Sequence, residues 1–183
     1  MNAHLVRYSK FISLVLRHRP QAYGVTLDEH GWAAVDQLIA AANQAGVALT
    51  PDILAEVVAT NDKQRFALSP DGLCIRARQG HSISVNLDLT PLEPPERLYH
   101  GTGEKYLASI RTQGLLRRSR QHVHLSADAE TAARVGQRHG KAVVLTVLSR
   151  AMSCDGIPFY RSENGVWLVD AVPVAYLRFP VEA

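Results

Sequence analysis

The sequence predicts an α+β protein of two lobes. Three helical periodicities and a β-hairpin fill the first half, whereas short strands interspersed with helices fill the second. A proline-dense segment, Asp88–Glu96, separates the two patterns and is the best candidate for a linker. We therefore expect lobes at residues 1–91 and 92–183, and the chain is long enough for a small hydrophobic core in each.

The composition is typical of a soluble globular protein, with 46% hydrophobic and 20% charged residues. No apolar run approaches the length of a membrane span, and the N-terminus has no signal-peptide core. Cys74 and Cys154 lie far apart, so we expect free thiols in a monomeric cytoplasmic protein that has no membrane partner. The net charge of +3 is mild, and a few placed arginines would have to bind any phosphate.

The first predicted helix runs from about residue 3 to Arg17, with apolar residues at helical spacing. Pro20 ends it, because the residue before a proline avoids the helical region. Arg17, His18 and Arg19 then lie at the negative end of the helix dipole, which favours cations there. The same turn could bind an anion, and the sequence alone favours neither interpretation.

Two more helices and a hairpin complete the first lobe. The second helix is predicted over residues 35–42 with Gly46 beyond its end, and the third begins after the capping residue Thr50. Residues 63–69 and 73–77 flank the turn at residues 70–72, which predicts the hairpin. Three helices followed by a hairpin suggest a winged-helix lobe, a common nucleic-acid-binding scaffold.

Four cations lie along this hairpin. Arg76 and Arg78 share one face of a strand, and Arg65 lies on the face opposite Phe66, shortly after Lys63. These cations could contact phosphate, but a solvated strand face explains them equally well.

The second lobe is predicted to open with a short strand that ends in His100, Gly101 and Thr102. This would place an imidazole, an approachable backbone and a hydroxyl at one strand end, because a glycine lets a ligand come close to the main chain. An ordinary turn is the alternative for this stretch taken alone.

The rest of the second lobe is predicted as alternating helices and strands. His122 and His124 share one face of a short strand and could ligate a metal, but no cysteine or acid has ligand-like spacing to them, so we expect no metal site. The other predicted elements are helices at 104–113 and 128–138, a central strand at 142–148 and a closing hairpin at 157–169.

Six motifs, in this order, resemble the signature of the NAD-dependent RNA 2′-phosphotransferase family, bacterial relatives of the enzyme that finishes tRNA splicing in fungi. The motifs are Leu16–Pro20, Lys63–Phe66, Gln79–Ser82, Tyr99–Thr102, Arg120–Ser126 and Gly136–Gly140. The resemblance extends from about Ser9 to Leu177 and includes the stretch Glu163–Leu168.

This resemblance implies a winged-helix N-terminal lobe, a C-terminal lobe with the ADP-ribosyltransferase fold, and two chemical steps. An internal RNA 2′-phosphate displaces nicotinamide from NAD, which gives an ADP-ribosylated 2′-phosphate. The ribose 2″-hydroxyl then attacks this phosphodiester and releases 2′-hydroxyl RNA and ADP-ribose 1″,2″-cyclic phosphate. No metal is implied.

The family's essential residues fall here on an arginine-histidine pair and two further arginines. They are Arg17, His18, Arg65 and Arg120. Arginines supply fixed, forked donors to a phosphoryl group whose charge shifts in the transition state. His18 could transfer a proton or donate to phosphate, and the sequence leaves both roles open.

NAD, consumed as a co-substrate, is implied to contact His100, Gly101 and Thr102, on the adenosine-side ribose and in the nicotinamide pocket. Weaker candidates for NAD are Ser126 and His139. Candidates for RNA phosphate are Arg19, Lys63, Arg76 and Arg78. Residues 166–168 lack the late-strand glutamate of many ADP-ribosyltransferases, which argues against ordinary protein modification.

Two other functions are compatible with parts of the pattern. The same arginines could serve NAD-dependent ADP-ribosylation of nucleic-acid phosphate ends, with the second step slow or absent. A non-catalytic winged-helix RNA-binding module would leave the His100 and Arg120 motifs without a use, and it predicts no response to NAD.

Overall fold

A computed structural model describes residues 3–61 and 63–180, and it confirms the α+β class. The chain divides into two compact units, Met1–Asp88 (unit 1) and Leu89–Ala183 (unit 2). The division falls at the start of the proline-dense segment, slightly before the expected boundary at 91/92.

Unit 1 combines helices with one antiparallel sheet. Its helices are α1 (Ala3–Arg17), α2 (Val35–Gln44) and α3 (Pro51–Ala59), and its strands are β1 (Trp32–Ala34), β2 (Phe66–Leu68) and β3 (Cys74–Ala77). The sheet order is β1-β3-β2, so the predicted hairpin is confirmed and gains a third strand on the other side of β3.

The helices of unit 1 form where capping and apolar spacing agree. The Thr50 hydroxyl accepts a hydrogen bond from the Ile53 amide at 3.2 Å, which caps the first turn of α3. Along α1, Ile12, Val15 and Leu16 are fully buried in the core of the unit. The end of α1 is thereby held against the core, with Arg17 half-buried at its last turn.

Unit 2 is built from short strands and short helices. Its strands are β4 (Leu98–Gly103), β5 (Leu115–Leu116), β6 (Val123–Leu125), β7 (Ala142–Val147), β8 (Tyr160–Arg161), β9 (Trp167–Val169), β10 (Ala171–Val172) and β11 (Leu177–Arg178), and its helices are α4 (Leu107–Gln113), α5 (Ala129–Gly136) and α6 (Ser149–Cys154). The strands form sheets in the orders β11-β7-β4, β6-β9-β8 and β10-β5. The predicted central position of β7 and the predicted closing hairpin are therefore confirmed.

Strand β4 ends within one residue of the predicted position. Its pairing with β7 runs from Leu98 to Gly103, so His100, Gly101 and Thr102 lie among its last four residues. The difference of one residue is within the usual uncertainty of an element boundary.

The helices that flank β4 and β6 are shorter than predicted. A 3₁₀ turn at Glu104–Tyr106 precedes α4, and another at Gln137–His139 follows α5. Helix α5 begins after Asp128, whose carboxylate accepts a hydrogen bond from the Thr131 amide at 2.7 Å.

The proline-dense segment is attached to unit 2. The Leu92 amide donates to the Phe159 carbonyl at 2.8 Å, and the Ser149 hydroxyl donates to the Pro95 carbonyl at 2.7 Å. Pro94 is buried. Most of the expected linker is therefore part of the folded unit.

Candidate functional site

The end of α1 carries the arginine-histidine pair of unit 1. The amides of His18 and Arg19 both donate to the Leu14 carbonyl, at 3.1 and 3.0 Å, which closes the helix. Ser82 binds this turn twice: its amide donates to the Arg17 carbonyl at 2.9 Å, and its hydroxyl lies 2.9 Å from His18 Nδ1. The motif Gln79–Ser82 therefore caps the helix and fixes the His18 ring.

His81, in the same motif, is buried beside this turn. Its side chain is 0% exposed, and among residues 3–61 and 63–180 neither ring nitrogen has a hydrogen-bond partner. Burial, followed by the positive charges of Arg17, His18 and Arg76, lowers the pKa of His81 to about 4. His81 is therefore uncharged near neutral pH. The sequence offered the motif but no role for this residue.

Arg65 is held by a residue that sequence reasoning missed. The Arg65 guanidinium donates to Asn61 Oδ1 at 3.1 Å, and the Lys63 amide donates to the same oxygen at 3.2 Å. Asn61 is 3% exposed, its Nδ2 lies 3.4 Å from the Ser9 hydroxyl, and Gln64 has a left-handed backbone with φ of +41°. Asn61 thus organises the turn that presents Arg65.

The four candidate RNA-binding cations of unit 1 have different surroundings. The Arg76 guanidinium lies 4.6 Å from the centre of the Trp32 ring, in a cation–π contact. Arg78 Nε donates to the Phe66 carbonyl at 3.3 Å. Arg19 and Lys63 are exposed. An open cleft of about 620 Å³ is lined by Val58, Ala59, Thr60, Asn61, Gln64, Phe66 and Arg78.

In unit 2, His100 has a fixed orientation. Its Nδ1 lies 3.0 Å from the His124 carbonyl, which can only accept, so Nδ1 carries the hydrogen. Burial lowers the pKa of the half-buried His100, with a smaller opposing effect of this hydrogen bond. The ring is therefore neutral near pH 7 and has its lone pair on Nε2, where it can accept from a ligand hydroxyl.

Arg120 contacts the side chain of His124, the residue whose main-chain carbonyl binds His100. Its guanidinium lies 3.1 Å from His124 Nδ1. Partial desolvation of the guanidinium, followed by the neighbouring positive charge of Arg138, lowers the pKa of Arg120, although the residue as a whole is exposed. The structure thus brings Arg120 and His100 together around His124.

Three glycines allow α5 to lie directly on β4. A Cβ at Gly101 would be 1.6 Å from the Ala132 carbonyl oxygen, and one at Gly103 would be 2.5 Å from the His139 carbonyl oxygen. A Cβ at Gly136 would be 2.9 Å from the Thr102 carbonyl oxygen. The missing side chain of Gly101 therefore serves helix packing, and its contact with NAD stays a prediction.

The other NAD candidates lie at separate points along β4. Thr102 is 5% exposed, so its hydroxyl is largely covered. Ser126 exchanges backbone hydrogen bonds with Tyr99 at 2.9 and 2.8 Å, which places it beside the strand near His100. His139 is exposed and contacts the Tyr106 ring edge-to-face, with the ring centres 6.1 Å apart.

The other histidine of the predicted pair, His122, has different contacts from His124. Its Nε2 is 3.9 Å from an Asp170 carboxylate oxygen, and its ring packs edge-on against Tyr160.

Across the described ranges, no three or more His, Cys, Asp or Glu side chains gather as metal ligands would. No helix in the described part of the chain is long and apolar enough to cross a membrane. Cys74 and Cys154 are free thiols.

Comparison with known proteins connects these features to one family. Residues 3–171 match the family model described as RNA 2′-phosphotransferase, Tpt1/KptA family. A probable RNA 2′-phosphotransferase of Rhodopirellula baltica is 59% identical over 177 residues, 96% of each chain. Relatives with the same description are 55% identical in Acaryochloris marina, over 96% of this chain and 97% of the relative, and 53% identical in Flavobacterium johnsoniae, over 98% and 99%. The chain belongs to the RNA 2′-phosphotransferase, Tpt1/KptA family.

Proposed function

We propose that this protein is an RNA 2′-phosphotransferase that moves an internal RNA 2′-phosphate to NAD. The phosphate displaces nicotinamide, and the resulting ADP-ribosylated 2′-phosphate is attacked by the ribose 2″-hydroxyl. The products are RNA with a free 2′-hydroxyl, ADP-ribose 1″,2″-cyclic phosphate and nicotinamide. Family membership supports the phosphotransfer, and the resemblance of the motifs supports NAD as the acceptor.

The observation that carries the proposal is the pairing of a guanidinium and a neutral imidazole around one residue of unit 2. Arg120 and His100 both contact His124, at 3.1 and 3.0 Å. A guanidinium donates to phosphate oxygens, and the Nε2 lone pair of His100 accepts from a ribose hydroxyl. NAD carries ribose hydroxyls next to phosphates, so these donors and acceptors fit it. Ser126, beside the same strand, adds a hydroxyl.

In unit 1, the contacts of His18 suit a group that handles a proton. The Ser82 hydroxyl has one hydrogen, and it lies 2.9 Å from His18 Nδ1 and 3.4 Å from the Arg17 carbonyl. If this hydrogen points to the carbonyl, Nδ1 donates to Ser82 and Nε2 is a base. If it points to Nδ1, Nε2 is a donor to phosphate. Both neutral tautomers of His18 are thus accommodated without moving the ring.

The roles of the two units follow from the same proposal. Unit 1 is the winged-helix lobe that binds RNA, which three helices and a sheet of order β1-β3-β2 support. Arg17, His18 and Arg65 act on the phosphate, and other cations of the unit contact the RNA backbone. Unit 2 is the ADP-ribosyltransferase-like lobe that binds NAD and supplies Arg120. The protein acts as a cytoplasmic monomer.

The test is incubation of a 2′-phosphorylated oligonucleotide with and without NAD, with both products identified by mass spectrometry. We expect loss of the 2′-phosphate only with NAD, equal stoichiometry of ADP-ribose cyclic phosphate, and the same rate in the presence of a chelator. Loss of phosphate without NAD would contradict the proposal. ADP-ribosylated RNA as the final product of the unmodified protein would instead identify a nucleic-acid ADP-ribosyltransferase.

A further inference from the structure

The two histidines near β6, His122 just before the strand and His124 within it, look equivalent in the sequence, but their contacts differ. His124 lies between Arg120 and His100, whereas His122 contacts Asp170 and Tyr160. We propose that His124 is a positioning residue of the active site, whose side chain orients Arg120 while its main chain orients His100. This inference rests on the proposed function, because it assigns Arg120 and His100 to the same reaction.

The Arg120 contact determines the protonation of His124. A guanidinium has only N–H donors, so the contact with His124 Nδ1 at 3.1 Å is a hydrogen bond only if Nδ1 carries the lone pair. His124 must then be neutral, with its hydrogen on Nε2. A protonated His124 would offer a second donor and a second positive charge to the guanidinium, and the contact would be lost.

Two different groups of His124 make the two contacts, so they can be separated by mutation. His100 Nδ1 donates to the main-chain carbonyl of His124, which every residue at this position supplies. The strand itself is held by its neighbours, since Val123 and Leu125 are 4% and 1% exposed and His124 pairs with Leu168 on β9. Replacing the His124 side chain should therefore release Arg120 and leave His100 in place.

Release of Arg120 matters because arginine is a flexible, exposed side chain at this point. Without an acceptor, its guanidinium samples many rotamers, and the conformational entropy of fixing one of them has to be supplied when phosphate binds. A guanidinium already oriented by His124 requires less ordering in the transition state. We expect the loss of this hydrogen bond to lower kcat about tenfold.

The chain offers a matched set of variants. In His124→Asn, the side-chain oxygen occupies nearly the place of Nδ1 and keeps an acceptor for Arg120. His124→Leu has no acceptor. His122→Leu makes the same chemical change two residues away, just before β6, and it serves as the control for effects on the strand. His124→Gln, whose polar atoms lie where Nε2 was, replaces His124→Leu if that variant does not fold.

Single-turnover kinetics with a 2′-phosphorylated oligonucleotide and NAD give the readout. We expect His124→Leu to lower the single-turnover rate constant about tenfold and to change the NAD concentration that gives half of the maximal rate less than twofold. His124→Asn should retain most of the rate, and His122→Leu should match the unmodified protein. In combination with Arg120→Ala, His124→Leu should have no further effect, because the residue it positions is gone.

The proposal is overturned if His124→Leu is no slower than His122→Leu, if His124→Asn is as slow as His124→Leu, or if the effects of His124→Leu and Arg120→Ala multiply in the double variant. Absence of NAD-dependent turnover in the unmodified protein would refute the proposed function instead. In that case, the role of His124 would be tested by measuring how tightly each variant binds the 2′-phosphorylated oligonucleotide. Equal weakening by His124→Leu and Arg120→Ala supports the positioning role, and weakening by Arg120→Ala alone removes it.

Discussion

Two histidines, the buried His81 in unit 1 and the half-buried His100 in unit 2, have pKa values lowered chiefly by burial. Their partners differ. His100 donates from Nδ1 to the His124 carbonyl, whereas neither nitrogen of His81 has a hydrogen-bond partner within residues 3–61 and 63–180. A lowered pKa therefore does not identify a ligand contact. The hydrogen bond adds the information that distinguishes the two, because it fixes the tautomer of His100 and leaves the lone pair on Nε2.

The two environments also have different energetic consequences. Burying a polar group without a hydrogen bond costs about 1–3 kcal/mol, so His81 weakens unit 1 beside its arginine-histidine pair. In return, a neutral ring adds no positive charge to the group formed by Arg17, His18 and Arg76. His100 is largely spared this cost because its Nδ1 has a partner.

The largest effect is expected from removing the packing that supports His100. Gly101→Ala would place a Cβ 1.6 Å from the Ala132 carbonyl, so we expect unit 2 to lose at least about 3 kcal/mol of unfolding free energy. Denaturant unfolding followed by Trp167 fluorescence in a Trp32→Phe background measures this loss. Gly156→Ala, also in unit 2, is the control, because its Cβ would meet nothing within 4 Å and only the φ of +86° opposes it, at a cost of about 1 kcal/mol. Equal losses in both variants would contradict the packing argument.

The next effect concerns His18 and Arg65, the candidate catalytic residues of unit 1 whose contacts were described above. His18→Ala and Arg65→Ala should slow the second step about 100-fold more than the first, since attack by a hydroxyl on a phosphodiester needs cations and proton transfer, whereas the 2′-phosphate of the first step is already an anionic nucleophile. ADP-ribosylated RNA should then accumulate in single-turnover reactions resolved on gels, with the unmodified protein as control. Loss of activity without this intermediate would assign both residues to binding or to the first step.

The next prediction is that His81, unlike an apolar core residue, makes the stability of unit 1 depend on pH. In the unfolded chain His81 takes up a proton as the pH falls below about 6.5, whereas in the folded protein it does so only near 4. Stability is therefore lost as the pH falls through this window, by roughly 2 kcal/mol between pH 7.5 and 4.5. His81→Leu should remove this contribution in denaturant unfolding of unit 1. Val85→Ala, a truncation in the same unit, should lower stability equally at both pH values. An unchanged pH dependence in His81→Leu would show that His81 is not the group responsible.

The smallest effect is expected at Asn61. Asn61→Ala removes the acceptor of Arg65 and one anchor of the turn, and we expect kcat/KM to fall about tenfold. Thr60→Ala, in the adjacent position, loses only a hydroxyl that donates to its own helix and is the matched control. Equal kcat/KM values for the two variants would remove the positioning role of Asn61.

Local sequence signals predicted the elements that local interactions build. The apolar spacing of α1 and the Thr50 cap of α3 each act within a few residues, and both are found where the sequence indicates. The strands β1, β5, β10 and β11 have two or three residues, too few to show alternation. They exist because distant segments pair with them, and a single sequence does not display that pairing.

For the candidate site too, some residues could be predicted from the sequence and others could not. Arg17, His18, Arg65 and Arg120 follow from motifs whose residue types suit phosphate chemistry. The supporting residues could not be predicted, because their roles depend on tertiary contacts. Asn61 has no unusual sequence context, and nothing in the spacing of His122 and His124 tells which of the two contacts Arg120.

The contact between α5 and β4 also restricts how this protein can vary. A side chain larger than hydrogen at position 101, 103 or 136 meets main-chain atoms, which cannot move aside as a side chain could. A single substitution at any of the three would have to displace α5 or the 3₁₀ turn that follows it, so these positions can change only together with the placement of that segment against the strand. New specificity at this strand is therefore accessible by single steps through the side chains of its other face, such as His100, and not through its glycines.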